Sequence, residues 1–97
     1  MTWNVLFTRK ATKQLGKLPT KVQTVTRFLV ADIELRGPVL SDWPNFGRLK
    51  GTKKGVTLYH CHLIKGNPTY VCCWEVISKS DKIIEVYYVG THEKAPY

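Results

Sequence analysis

The feature that most constrains this chain is its C-terminal half. Strand-like runs at about residues 56–64, 69–78 and 82–90 are separated only by Lys65-Gly66-Asn67-Pro68 and by Lys79-Ser80-Asp81. Runs rich in Val, Ile, Tyr and Trp, divided by such short turn-like segments, imply antiparallel hairpins and hence a meander.

The N-terminal half supplies helices. Trp3, Val5 and Phe7 alternate with Thr2, Asn4 and Leu6, so Met1 to Phe7 reads as a short, half-buried first strand. Thr8 then caps a helix through Lys17, with Ala11, Leu15 and Leu18 on one side and Lys10, Lys13 and Lys17 outside. Pro19 breaks that pattern. From Thr20, read as the next N-cap, Val22, Val25, Leu29 and Ile33 recur at helical spacing with Phe28 beside them, until Gly37-Pro38 stops the helix. Residues 38–55 contain Pro38, Pro44, Gly47, Gly51 and Gly55 and read as a long irregular crossing anchored by Leu40, Trp43 and Phe46. The expected architecture is α+β in the order β-α-α-β-β-β, an antiparallel sheet with an N-terminal helical hairpin packed on one face.

At 97 residues the chain has material for one hydrophobic core and too little for two, so residues 1–97 are expected to form a single domain. Fifteen Lys and Arg against seven Asp and Glu give a net charge of +8, which draws polyanions to so small a body. Nucleic acid, an acidic protein and an anionic membrane are the classes of partner this allows. No apolar run approaches the roughly 18 residues of a spanning helix, and Met1 to Phe7 runs into Thr8-Arg9-Lys10 without a signal-peptide pattern. No membrane partner and a cytoplasmic location are therefore expected.

Cys61, Cys72 and Cys73 lie within apolar runs and read as buried free thiols rather than a disulfide framework. His60, Cys61 and His62 are adjacent, but neighbours on a strand point to opposite faces, as do Cys72 and Cys73. No metal site and no cofactor are expected.

Three features carry candidate chemistry. In Tyr59-His60-Cys61-His62-Leu63 the two-residue period puts His60 and His62 on one face and the bulky apolar residues on the other. The apolar set should meet the helices, leaving both imidazoles on the open face. Arg48-Leu49-Lys50-Gly51-Thr52-Lys53-Lys54-Gly55 concentrates cations and glycines just ahead of that strand, a composition that holds phosphates or simply keeps a loop solvated. The end of the chain places His92 after the last strand and Tyr97 at the terminus, where an aromatic ring on a basic face can stack on a base of single-stranded RNA.

In this order of elements, in Leu49-Lys50-Gly51 before the second strand, in the shape of Leu58 to Leu63, and in Val89-Gly90-x-His92 followed by Tyr97, the chain resembles a RelE-type toxin of the RelE/ParE toxin-antitoxin superfamily. The resemblance spans essentially the whole sequence. It implies an endoribonuclease that cleaves messenger RNA in the ribosomal A site, without a metal, by making a ribose 2′-OH attack the adjacent phosphate. Two lysines of the family's second strand match His60 and His62, the basic residue after the last strand's glycine matches His92, and the late catalytic tyrosine matches Tyr97. A family arginine falls near Val71 and is missing, so Lys65, or Arg48, Lys50, Lys53 and Lys54 from the crossing, are the residues expected to meet phosphate.

An imidazole with a pKa of about 6.5 exchanges protons near neutral pH, so histidines can do this work directly. The implied roles are His60 or His62 as base on the 2′-OH, His92 as acid on the leaving 5′-oxygen, Tyr97 stacking on or orienting the scissile nucleotide, and Glu93 as a candidate to orient His92. The implied partners are messenger RNA on the ribosome and a cognate antitoxin. Two other readings of the same residues stand beside it: a ParE-like inhibitor of DNA gyrase with no nuclease site, and a plain RNA- or ribosome-binding module.

Overall fold

The structure, a computed structural model, describes residues 2–50 and 53–97. Met1 of the first strand run, and Gly51 and Thr52 of the basic crossing, lie outside the described residues. The elements are β1 (Asn4–Phe7), α1 (Arg9–Gly16), α2 (Thr20–Arg36), β2 (Gly47–Arg48), β3 (Leu58–Ile64), β4 (Tyr70–Ser78), β5 (Ile83–Thr91) and a 3-10 turn at His92–Lys94.

The strands form one sheet in the order β1-β5-β4-β3-β2. From β2 to β5 every pairing is antiparallel, as the short connections require. β1 departs from the expected antiparallel sheet: it pairs parallel to β5, with Asn4 opposite Ile83 and Phe7 opposite Val86. A parallel pair needs a long connection, and the helical hairpin and meander supply it. Sheet membership is legible in alternation, whereas the direction of a strand whose partner lies at the far end of the chain is not.

Both helices cover one face. Thr8 caps α1 by accepting the Ala11 N–H at 3.0 Å, and α1 buries Ala11 with Leu15 and Leu18 packed against the core. In α2 the expected cap moves by one residue: Thr20 is the first helical residue and Pro19 holds the cap position without a side-chain cap. Pro19 instead accepts the N–H groups of Val22 and Gln23 through its carbonyl, at 2.9 and 3.1 Å. The buried stripe is Val22, Thr26, Leu29 and Ile33. Phe28, one residue and hence about 100° off that stripe, is 65% exposed. Thr26 tolerates full burial because its hydroxyl donates to the Val22 carbonyl at 2.8 Å.

Gly37 ends α2 at φ 89°, and a Cβ there would sit 3.0 Å from the Trp3 indole nitrogen, so both backbone and packing favour glycine. The crossing is anchored as its apolar residues imply. Leu40 is fully buried, Trp43 and Phe46 pack on the core, and the Trp43 indole donates to Asp32 at 2.8 Å. Within it lies the two-residue strand β2, too short to announce itself by alternation; it adds Gly47 and Arg48 to the sheet opposite His60 and Tyr59. Cys61, Cys72 and Cys73 are free and buried, and burial pushes the thiols of Cys61 and Cys73 up to about 12. Among the described residues no helix is long and apolar enough to cross a membrane.

Candidate active site

The face away from the helices has a small floor: Val71, Cys73 and Tyr88 are buried there, with Tyr87 and Ala95 packed beside them. Above it stand the imidazoles. β3 alternates so that Tyr59, Cys61 and Leu63 join the helix-side core, while His60 lies opposite Cys73, and His62 opposite Val71.

The last strand brings the rest. Between Cys73 and Trp74 the pairing with β5 slips, so that Cys73 faces Tyr88 and Trp74 faces Val86. Tyr87 is the extra residue of this bulge, and both tyrosines accordingly lie on the open face while Val89 returns to the core. The Tyr88 hydroxyl donates to the Thr91 carbonyl at 2.7 Å. Its ring therefore lies along the strand over Gly90, where an added Cβ would come within 2.6 Å of that hydroxyl. Glycine at position 90 is thus a packing requirement of Tyr88. Beyond it the His92 N–H donates to the Thr69 carbonyl at 2.8 Å, tying the 3-10 turn to the entrance of β4.

Four rings meet in consequence. His60 and Tyr97 have centroids 4.7 Å apart, His62 and His92 5.4 Å, and His92 and Tyr97 6.0 Å, the last two pairs edge-on. The Nδ1 atoms of both His60 and His62 are buried without a hydrogen-bond partner. A protonated imidazole carries N–H on both nitrogens, so protonation would leave an unpartnered N–H in a poorly solvated place. Burial accordingly lowers the pKa of His60, with the charges of His62 and His92 adding to the effect. His62 is lowered by burial, then by His92 and Lys65. Both shifts favour the neutral imidazole, the form able to accept a proton. Burial pushes the Tyr97 hydroxyl up to about 12, so it stays protonated and serves as a ring surface and hydrogen-bond donor.

The cations expected from the sequence divide. Lys65 is exposed at the end of β3, and its charge is felt at His62. Arg48 is on the other side: it is in register with Tyr59, a helix-face residue, and lines a separate cavity with Trp3. Lys50, Lys53 and Lys54 are exposed in the crossing, with no hydrogen bond or ion pair to the imidazoles among the described residues. Val71, where the resemblance places an arginine, is fully buried floor between His62 and Gly90. Glu93 is exposed and makes no hydrogen bond to His92. No cluster of three or more His, Cys, Asp or Glu among the described residues is arranged to hold a metal ion.

Tyr87 and Tyr88 are the contributors that reading by strand period overlooks, and Gly90, already noted in Val89-Gly90-x-His92, gains a physical reason in the Tyr88 ring. The doublet Tyr87-Tyr88 between two valines is the sequence trace of the bulge.

No family model matches the sequence, and no curated protein matches it. Solved structures do. The chain is similar to RelE in the archaeal RelE-RelB complex from Pyrococcus horikoshii, with a TM-score of 0.77 at 23% identity over 98% of this chain and 100% of the other. It is similar to a mutant of the E. coli toxin RelE in the free state, with a TM-score of 0.72 at 19% identity over 98% of this chain and 88% of the other. It also matches the E. coli DinJ-YafQ toxin-antitoxin complex, with a TM-score of 0.73 at 14% identity over 100% of both chains. These likenesses share one architecture across the full length of the chain.

Proposed function

We propose, on the premise that this chain has the RelE-type toxin fold, that it is the toxin of a type II toxin-antitoxin pair and cleaves messenger RNA by histidine acid-base catalysis. The observation that carries the reading is the meeting of His60, His62, His92 and Tyr97 on one open sheet face, with centroid separations of 4.7 to 6.0 Å. Residues from β3 and from beyond β5 converge there.

The chemistry follows from proton positions. Neutral His60 or His62 takes the proton of a ribose 2′-OH, and the 2′-oxygen attacks the adjacent phosphorus. The P–O5′ bond breaks as His92 gives its proton to the departing 5′-oxygen. The products are a 2′,3′-cyclic phosphate and a 5′-hydroxyl, and the two imidazoles have exchanged protonation states. Lys65 supplies positive charge near the phosphorane, where transition-state charge builds up. Tyr97 offers the scissile nucleotide a stacking surface and a hydroxyl donor. The protons are handled by side chains, so the proposed reaction needs no metal ion. Ribosome-bound messenger RNA is the proposed substrate. The proposed partner is an antitoxin with an acidic binding segment, complementary to the +8 charge.

Val71 favours a second reading, a ParE-like inhibitor of DNA gyrase, because an apolar floor stands where the resemblance implies a phosphate-binding arginine. A transcript-cleavage map after expression, set beside a gyrase supercoiling assay, separates the two. The nuclease reading requires cuts within translated messages and unimpaired supercoiling; the reverse pattern overturns it.

A further inference from the structure

β1 ends at Phe7, opposite Val86, while β5 continues to Thr91, leaving the last stretch of β5 without a strand on that side. A cavity of about 550 Å³ opens there, between α1 and the end of β5. Its wall on the α1 side is Lys10, Gln14 and the C-cap residue Lys17, which the spacing of four and three residues puts on one side of the helix. Gln14 accepts the Val89 N–H at 3.2 Å and so satisfies a strand donor that β1 does not reach. The opposite wall includes the half-buried Tyr87, with Thr91 and Lys94. The ion pairs among the described residues all belong to Arg36, so the ammonium groups of Lys10, Lys17 and Lys94 have no acidic partner. Unneutralised cations, an aromatic ring and hydrogen-bonding side chains around a space of this size suit a nucleotide and its phosphates.

The cavity also has a direction. Thr91 and Lys94 bracket His92, so one wall begins where the proposed acid stands. We propose that this cavity binds the RNA on the 3′ side of the scissile bond, with Lys10, Lys17 and Lys94 holding its phosphates. The inference rests on the ribonuclease reading, in which His92 protonates the departing 5′-oxygen and the leaving strand starts beside it.

The test is binding rather than cleavage. Fluorescence anisotropy is measured on RNAs carrying a 2′-deoxy nucleotide at the scissile position, which cannot react. Extending such an RNA on its 3′ side tightens binding by the wild-type chain about tenfold, and extension on its 5′ side does not. The K10A/K17A/K94A variant loses that gain, and its slope of log K against log salt falls by about 2, from three contacts at about 0.7 each on a single strand. K13A/K21A/K79A removes the same charge from outside the cavity and keeps the gain. Equal gains from 5′ and 3′ extension, or equal losses in the two triple variants, overturn the proposal. Cleavage of the all-ribose RNA is scored separately, so a failure of the chemistry and a failure of this subsite are distinguishable.

Discussion

On β3 the side chains of Tyr59, Cys61 and Leu63 turn toward the helices and those of His60 and His62 turn away, and the two sets meet opposite surroundings. The helix side is closed by Trp74, Leu29, Ile33, Ile84 and Val86, all fully buried, and its polar atoms are satisfied: the Thr26 hydroxyl by Val22, the Trp74 indole by the Pro38 carbonyl at 3.1 Å. The open side has a floor of Val71, Cys73 and Tyr88, yet it holds buried imidazole nitrogens without partners. Unsatisfied polar groups cost stability wherever they lie. Among the described residues the unpartnered buried side-chain atoms are confined to this face, which separates what holds the sheet together from what the sheet presents, and that separation is open to test.

The largest effect belongs to the open face. Replacing His60 or His92 with Ala is expected to lower the RNA cleavage rate by about 10² to 10⁴-fold, the range of general acid-base catalysis. Thermal denaturation should move little, and His60→Ala removes a buried unpartnered nitrogen. A histidine variant that unfolds the protein would falsify the division between the faces. Trp74→Ala is the mirror experiment: about 3–5 kcal/mol of stability lost in urea denaturation, for a fully buried ring, with the rate per folded molecule unchanged. A rate loss exceeding the loss of folded protein would mean that the covered face reaches the site.

What the sequence reveals follows the same line. The faces of β3 are legible because a two-residue period assigns them outright, and the buried thiols and the anchors Leu40 and Trp43 follow from apolar surroundings. Arg48, read as one cation of an irregular crossing, escapes that kind of reasoning: its face depends on the register of a two-residue strand with Tyr59, and nothing local fixes that. The bulge at Tyr87 depends on where β4 slips against β5, a property of two strands rather than one. Lys10 and Lys17 read as a solvated helix face, and they become cavity walls only because β1 stops short of the end of β5. Pattern within an element is visible in the residues; the relation between elements is set by register and length.

Gly90 lies on the open face beneath the Tyr88 ring, and Gly90→Ala is expected to lower both stability and activity. The added methyl would press on the Tyr88 hydroxyl, 2.6 Å from the ideal Cβ, so Tyr88 must leave its bond to Thr91. Overpacking of this kind costs about 1–3 kcal/mol. Because Thr91 leads directly into His92, cleavage should fall as well. Adding Tyr88→Ala to Gly90→Ala removes the clash and should restore part of the activity. Failure of that rescue would place the defect elsewhere than in the contact between ring and glycine.

The smallest effect is electrostatic and concerns His62. Its folded-state pKa lies below 6.5, so the folded state binds a proton less readily than the unfolded chain does. Its contribution to stability is therefore fully present above pH 6.5 and is lost as pH falls through the folded value, and His60 acts in the same sense. If either is the base, the rate must rise with pH over that same window as the imidazole becomes neutral, and fall again at higher pH where the acid loses its proton. Lys65 is the weakest of the named causes at His62, after burial and His92. Removing its charge in Lys65→Ala eases protonation and should raise the His62 pKa toward 6.5 while leaving that of His60, whose named causes do not include Lys65, in place. Imidazole chemical shifts followed by NMR between pH 4 and 8 read the two titrations apart. Equal movement of both would assign Lys65 to the general field of a basic protein; movement of His62 alone would put its ammonium at the open face, beside the phosphate that the proposed reaction must bind.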